Sequence, residues 1–194
     1  MKRIGLFGGS FDPVHNGHIE AVNSFLESGL IDEIWILLTP APPHKPDQKK
    51  TDFEHRYNML RLAFQESENI KISEIEKDLP KPSYTLQTIQ HLKTKNPDHT
   101  FFLCLGEDSL QYFHKWHKYH DILEECTLLV VDRPGSDHGD VDSYILEKSI
   151  FVDHKPMNIS STEIRRGPNS ATIMKLPDDV LNYIQKNNLY TDSR

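Results

Sequence analysis

Apolar and polar positions along this chain follow two periods in alternation. Arg3–Gly8 (RIGLFG) is a short apolar run ending in glycines, with the length of a strand. From Gly17 to Ser28 the apolar residues Ile19, Val22, Phe25 and Leu26 recur at helical spacing, and Gly29 stands where that helix would end. Glu33–Leu38 (EIWILL) reads as a buried strand, and the proline-rich loop TPAPPHKPDQKK follows it. Thr51 and Glu54 have the spacing of a capping box, opening a helix with Phe53, Tyr57, Leu60 and Phe64 on one face. NIKISEI predicts a strand, and Tyr84–Lys95 a helix with Leu86, Ile89 and Leu92 on one side. TFFLCL and TLLVV are continuous enough for strands buried on both faces, and KSIFV is a weaker strand. LPDDVLNYIQKN predicts a closing helix with acids in its first turn. Pro134–Asp142, rich in Gly, Ser and Asp, reads as a solvated loop.

Strands alternating with helices imply an α/β, doubly wound, mostly parallel sheet with helices on both faces. The length of 194 residues suits one domain, 1–194, and no internal repeat is visible. Ligands in such folds bind beyond the carboxyl ends of the strands. The stretches that carry chemistry all follow strands: Gly8–His18 the first, the proline-rich loop the second, Gly106–Asp108 the fourth and Asp132–Gly135 the fifth.

Composition narrows the function. The chain is 37% hydrophobic and 26% charged, with a formal net charge of −7, which argues against a general nucleic-acid binder. A phosphate-bearing small substrate remains compatible, because a few convergent cations dominate a cleft. The apolar run after Lys2 and Arg3 is broken by Gly5, Gly8 and Gly9, too short for a signal peptide, and no 18-residue apolar span exists. Cys104 and Cys126 form no C-x-x-C pair, so neither a disulfide framework nor a thiolate metal site is indicated, and Cys104 reads as a small core residue. The expectation is a cytoplasmic protein with no membrane and no nucleic-acid partner.

The stretch GGSFDPVHNGHI (Gly8–Ile19) holds the most chemistry. G-x-G-x-x-G and G-x-x-x-x-G-K-[ST] are both absent, which disfavours hydride transfer and P-loop chemistry. What remains is a helix N-terminus whose free N–H groups favour anions, with His15 and His18 spaced to face one ligand and Gly17 permitting close approach. Taken alone, an H-x-x-H pair reads more readily as solvated or structural histidines, and no third ligand supports zinc. Near the other end, Ser160, Ser161 and Thr162 can cap a short helix while their hydroxyls and N–H groups meet phosphate, with Arg165 one turn on as a charge-assisted donor. Taken alone, SSTE is an ordinary capping box. His114, His117 and His120, interleaved with Lys115 and Lys118, read as a solvated helix face.

Together, Gly9–His18 (GSFDPVHNGH) and ISSTEIR (Ile159–Arg165) resemble the two signatures of the nucleotidyltransferase superfamily, with Ser10 an allowed variant. PPHK (Pro42–Lys45), PSYT (Pro82–Thr85), GEDSLQYFHKW (Gly106–Trp116) and DRPG (Asp132–Gly135) make the chain most similar to the bacterial nicotinate-nucleotide adenylyltransferases over essentially its full length. The pantetheine-phosphate adenylyltransferases usually have Thr for the first histidine, and the cytidylyltransferases a different second signature. The resemblance implies a Rossmann-like nucleotidyltransferase fold and transfer of the adenylyl group of ATP, with Mg²⁺, to nicotinate mononucleotide, in NAD biosynthesis. The products would be nicotinate adenine dinucleotide and pyrophosphate, with no covalent enzyme intermediate.

The resemblance also implies roles. His15, His18, Lys45 and Arg165 would be catalytic on the phosphates. Gly8, Gly9, Ser10, Phe11, Gly17, Gly106, Asp108, Ile159, Ser160 and Ser161 would bind ATP. His44, Tyr84, Thr85, Trp116 and Arg133 would meet the acceptor, with Trp116 stacking on the pyridine ring and Tyr84 and Thr85 at its carboxylate. Read as residues only, Trp116 is equally core, Tyr84 and Thr85 a helix start, and Arg133 a surface charge. Alternatives are a sister adenylyltransferase acting on nicotinamide mononucleotide or 4′-phosphopantetheine, or a nucleotide-binding sensor without catalysis. Oligomeric state, a homodimer included, is left open.

Overall fold

The computed structural model describes residues 1–40, 50–80, 83–132, 138–155, 157–166 and 170–191. Among the described residues six strands, β1 (Arg3–Gly9), β2 (Glu33–Leu38), β3 (Ile70–Ser73), β4 (Thr100–Gly106), β5 (Thr127–Asp132) and β6 (Ser149–Asp153), form one sheet in the order β3-β2-β1-β4-β5-β6. Every pairing is parallel. The helices are α1 (Asn16–Glu27), α2 (Phe53–Ala63), α3 (Thr85–Lys95), α4 (Glu107–Gln111), α5 (Tyr119–Glu125), α6 (Ser143–Glu147), α7 (Ser161–Arg165), α8 (Ser170–Ile173) and α9 (Asp178–Lys186).

Side chains on a strand alternate between faces, and the core divides accordingly. Ile34, Ile36 and Leu38 of β2 and Leu129 and Val131 of β5 pack with Val22 and Phe25 of α1, Met59 and Leu60 of α2, and Val180 and Ile184 of α9. Their neighbours Trp35, Leu37, Leu128 and Val130 pack on the other face with Leu86, Ile89 and Leu92 of α3, Ile122 and Leu123 of α5, and Ile145 of α6. Two apolar faces demand two helical layers, and the doubly wound α/β architecture is the result. Gly29, at φ 69°, follows α1 in the left-handed conformation that glycine adopts at least cost.

This order positions the site. β1 connects through α1 to β2 on one side, and after β3 the chain crosses back to place β4 on the other side of β1. Phe7 of β1 pairs with Ile36 and with Cys104. The crevice between the carboxyl ends of β1 and β4 is thus the topological switch point.

Two expectations need correction. The helix α2 is capped by Asp52 rather than Thr51, and no side chain makes a capping hydrogen bond there. The reason is that the Thr51 backbone is engaged elsewhere: its N–H faces Asp12 and its carbonyl accepts from Arg56. Pro134–Asp142 is also not simply solvated. Residues 133–137 lie outside the described residues, but Val141 belongs to the core, and His138 stacks on Phe151 and bonds Asp132.

Candidate active site

Two adjoining cavities open at the switch point and share Phe7, Gly8, Gly9, Gly106 and Ser109. The first is walled by Phe11, His15, Gly17 and His18 from the turn after β1, by Glu107 and Asp108 from α4, and by His154, Met157 and Ile159. The second is walled by Ser10, Thr39, Glu76, Ser83, Tyr84, Thr85, Trp116 and His117. Most of the singled-out residues therefore converge from four distant stretches onto one crevice.

The turn is held in a defined shape. Asp12 is 2% exposed, and its carboxylate accepts the Tyr190 hydroxyl at 2.8 Å and faces the Thr51 N–H at 3.4 Å. Phe11 is in the left-handed region at φ 45°, a conformation costing a non-glycine residue about 1–2 kcal/mol. Its buried ring packs edge-on to Phe7 and His18, at centroid distances of 5.7 and 5.1 Å. Gly17 is required by contact. A Cβ there would stand 2.9 Å from Cγ2 of Ile159 and 3.1 Å from Nδ1 of His15, so the two signature stretches meet at that position.

His15 and His18 stack at a centroid distance of 3.7 Å. The His15 backbone N–H donates to Nδ1 of His18 at 3.2 Å. With Nδ1 accepting, neutral His18 carries its proton on Nε2 and is a donor there. Desolvation lowers the pKa of His15 to about 4, with Lys175 adding to the effect, and holds His18 well below the usual histidine range. Both rings are neutral donors at pH 7.

A folding consequence follows. Between about pH 6.5 and 4 the unfolded chain binds protons that the folded His15 does not, so stability is greatest above this window and falls on acidification through it. The contribution is about 3 kcal/mol at most. Denaturant unfolding at pH 7 and pH 5 should show the loss, and His15→Gln should reduce it; an identical slope in that variant would contradict the assignment.

The second signature supports the turn from behind. Ser160 caps α7, its hydroxyl accepting from the Glu163 N–H at 3.2 Å, and the Ser161 hydroxyl donates to the Pro13 carbonyl at 2.9 Å. Arg165 donates through Nη1 to the Asp12 carbonyl at 2.7 Å and through Nη2 to the Thr162 hydroxyl at 3.2 Å. Ser160, Ser161 and Arg165 line neither cavity here. Ser161 and Arg165 each donate to a main-chain oxygen of the turn, and the Ser160 hydroxyl serves as an acceptor at the helix start.

On the acceptor side, Tyr84 caps α3 in extended conformation, and its N–H donates to Oε1 of Gln87 at 3.3 Å. Trp116 is half-buried, packed on Phe113 and lining the cavity, which joins its two readings. Asp108 is exposed at the mouth of the first cavity. His44, Lys45 and Arg133 lie outside the described residues.

Several site residues escaped the sequence reading. His117 packs tilted against Tyr84 at a centroid distance of 4.3 Å, because Phe113–Lys115 is a 3₁₀ turn and Lys118 at φ 54° interrupts the helix expected to carry all three histidines. His154 contacts the Ser24 hydroxyl at 3.0 Å. Glu76 is buried at the second cavity, where desolvation pushes its carboxyl above the usual range and Oε1 accepts from Thr88 at 3.3 Å. Arg56 is 1% exposed beneath the turn. It had a signal: it is the charged residue three after Phe53 and four before Leu60, on the apolar face of α2.

Comparison with known proteins agrees with this geometry. The Cytidylyltransferase-like family matches residues 6–167. A nicotinate-nucleotide adenylyltransferase of Bacillus subtilis (strain 168) is 38% identical over 192 residues, covering 98% of this chain and 99% of that one. A probable nicotinate-nucleotide adenylyltransferase of Bacillus pumilus (strain SAFR-032) is 37% identical with the same coverage. The solved structure of a Plasmodium falciparum nicotinic acid mononucleotide adenylyltransferase complexed with NaAD shares the fold, with a TM-score of 0.81, 23% identity and 98% coverage of both chains. With its signature turn at the switch point and relatives matched end to end, the chain belongs to the nicotinate-nucleotide adenylyltransferases, within the Cytidylyltransferase-like family.

Proposed function

We propose that this chain, acting as one nucleotidyltransferase domain, transfers the adenylyl group of ATP to nicotinate mononucleotide in NAD biosynthesis. The products are nicotinate adenine dinucleotide and pyrophosphate. The observation that carries the reading is the pair of joined cavities at the β1–β4 switch point, one edged by neutral imidazole donors and the other by a helix N-terminus and an indole. ATP occupies the first, its triphosphate against His15, His18 and the turn, and its nucleoside toward Gly106, Asp108 and Ile159. The acceptor occupies the second, its ring against Trp116 and its carboxylate at Tyr84 and Thr85. The shared residues Gly8 and Gly9 lie where the acceptor phosphate meets the α-phosphorus.

Direct displacement needs positioning and charge stabilisation rather than a nucleophilic side chain. The Nε2–H of His18 and the free N–H groups of the turn stabilise the charge that shifts to the leaving pyrophosphate. His44 and Lys45 are assigned to phosphate and acceptor contacts by motif, and Arg133 to a weak acceptor contact. A divalent metal accompanies ATP in nucleotidyltransferases of this kind, and we assign Mg²⁺. Such a cation is carried mainly by the triphosphate and screens its charge. No helix among the described residues is long and apolar enough to cross a membrane.

The test is pyrophosphate release from ATP with nicotinate mononucleotide, nicotinamide mononucleotide and 4′-phosphopantetheine in turn, with the adduct identified by mass. Release with none of the three would favour the sensor. Arg165 gives a sharper check on the site. Arg165→Lys should lower kcat about 10–100-fold, because one ammonium cannot replace a fork that holds both the Asp12 carbonyl and the Thr162 hydroxyl. Near wild-type turnover in that variant would remove Arg165 from the machinery.

A further inference from the structure

We propose that Arg56 is a positioning residue for adenylyl transfer: its buried guanidinium fixes the Ser10–Phe11 peptide so that the Phe11 N–H faces the triphosphate. The proposal rests on the reading of the turn after β1 as the triphosphate site. Nε donates to the Thr51 carbonyl at 2.8 Å, Nη1 to the Ser10 and Thr39 carbonyls at 2.9 Å each, and Nη2 to the Pro40 carbonyl at 3.2 Å. All four acceptors are main-chain oxygens, drawn from the turn, the exit of β2 and the entry of α2. One planar fork thus ties three chain segments together. Arg56 lines neither cavity, so it acts from behind the surface that ATP meets.

The peptide plane carries the argument. In a trans peptide the carbonyl and the N–H point opposite ways, so a Ser10 carbonyl drawn toward Arg56 turns the Phe11 N–H outward. Phe11 is held at φ 45°, where an L-residue is strained. A half-turn flip of that peptide would carry φ to roughly −135°, a region open to every residue. Relief of strain therefore favours the flip, and the flip would offer ATP a carbonyl oxygen in place of a donor. The bond from Arg56 opposes it directly, and packing of the Phe11 ring opposes it second.

The test compares the wild type with Arg56→Lys and with Arg56→Ala, the latter with and without methylguanidinium, each corrected for folded fraction by circular dichroism. We expect Arg56→Lys to lower kcat/KM for ATP about 30–100-fold, in the range of a lost oriented donor. Ser10 and Thr39 also wall the acceptor cavity, so KM for nicotinate mononucleotide should rise as well, but by less than kcat/KM for ATP falls, because the Phe11 N–H lies on the triphosphate side. Methylguanidinium should restore part of the rate in Arg56→Ala, and methylammonium should not. The proposal is overturned if Arg56→Lys stays within about threefold of wild type, or if the loss tracks the unfolded fraction. It is also overturned if Arg56→Ala regains its fold but not its rate with methylguanidinium, or if neither variant folds under any condition, since Arg56 would then be a requirement of the fold. ATP affinity measured by calorimetry separates this from the functional reading. An inactive wild type would refute the assigned reaction, while weaker ATP binding in Arg56→Lys would still uphold the role of Arg56.

Discussion

His18→Ala is expected to lower kcat for adenylyl transfer by roughly 10²–10³-fold while changing KM for ATP far less. The reason lies in how the ring is held. The His15 N–H bonds Nδ1 of His18, which leaves Nε2–H as a donor fixed in direction, and the stacked His15 ring restricts rotation. A donor oriented before substrate arrives stabilises charge that develops in the transition state without reorganising. Because both imidazoles are neutral, the donor does not depend on protonation near pH 7. Asparagine at 18 keeps a donor but at a shorter reach, and should recover only a small part of the rate. A variant in which KM alone rises would show that His18 binds the ground state and the transition state equally.

Acceptor choice should show the largest discrimination: kcat/KM for nicotinate mononucleotide should exceed that for its amide analogue by on the order of 10³-fold or more. The two differ by a carboxylate against a carboxamide, so the difference must arise where that substituent lies. The α3 terminus supplies N–H groups, and Tyr84 and Thr85 add hydroxyls at the same cavity wall. Donors suit an anion, whereas an amide NH₂ presents hydrogen to hydrogen. Glu76 shares this wall, and burial pushes its carboxyl above the usual range. Trp116 stacks on either ring and should set affinity rather than choice. Comparable values for the two acceptors would move the chain to the nicotinamide branch. A preference unchanged in Thr85→Ala would keep the assignment but remove Thr85 from its explanation.

What was legible in the sequence is local. The β2 run Glu33–Leu38 has the same bounds in the structure, and α1 and α3 differ from their expected starts by one residue, because alternation and helical spacing are written in neighbouring positions. The turn Gly8–His18 and the stretch Ile159–Arg165 were legible for the same reason: each places its chemistry within about a dozen residues. The short helices α4, α5 and α6 were not, since five to seven residues do not establish a period.

By itself, then, the sequence determined the alternation of strands and helices, the acidic composition and the two signatures that set the family. Only the tertiary structure decided which residues line the crevice and which hold its walls in place. It turned Ser161 and Arg165 toward the Pro13 and Asp12 carbonyls, set Arg56 under Ser10, and closed Tyr190 onto Asp12. The physical reason is sequence separation. Those partners lie 148, 153, 46 and 178 positions apart, and a hydrogen bond across such a distance leaves no periodic trace in the chain that makes it.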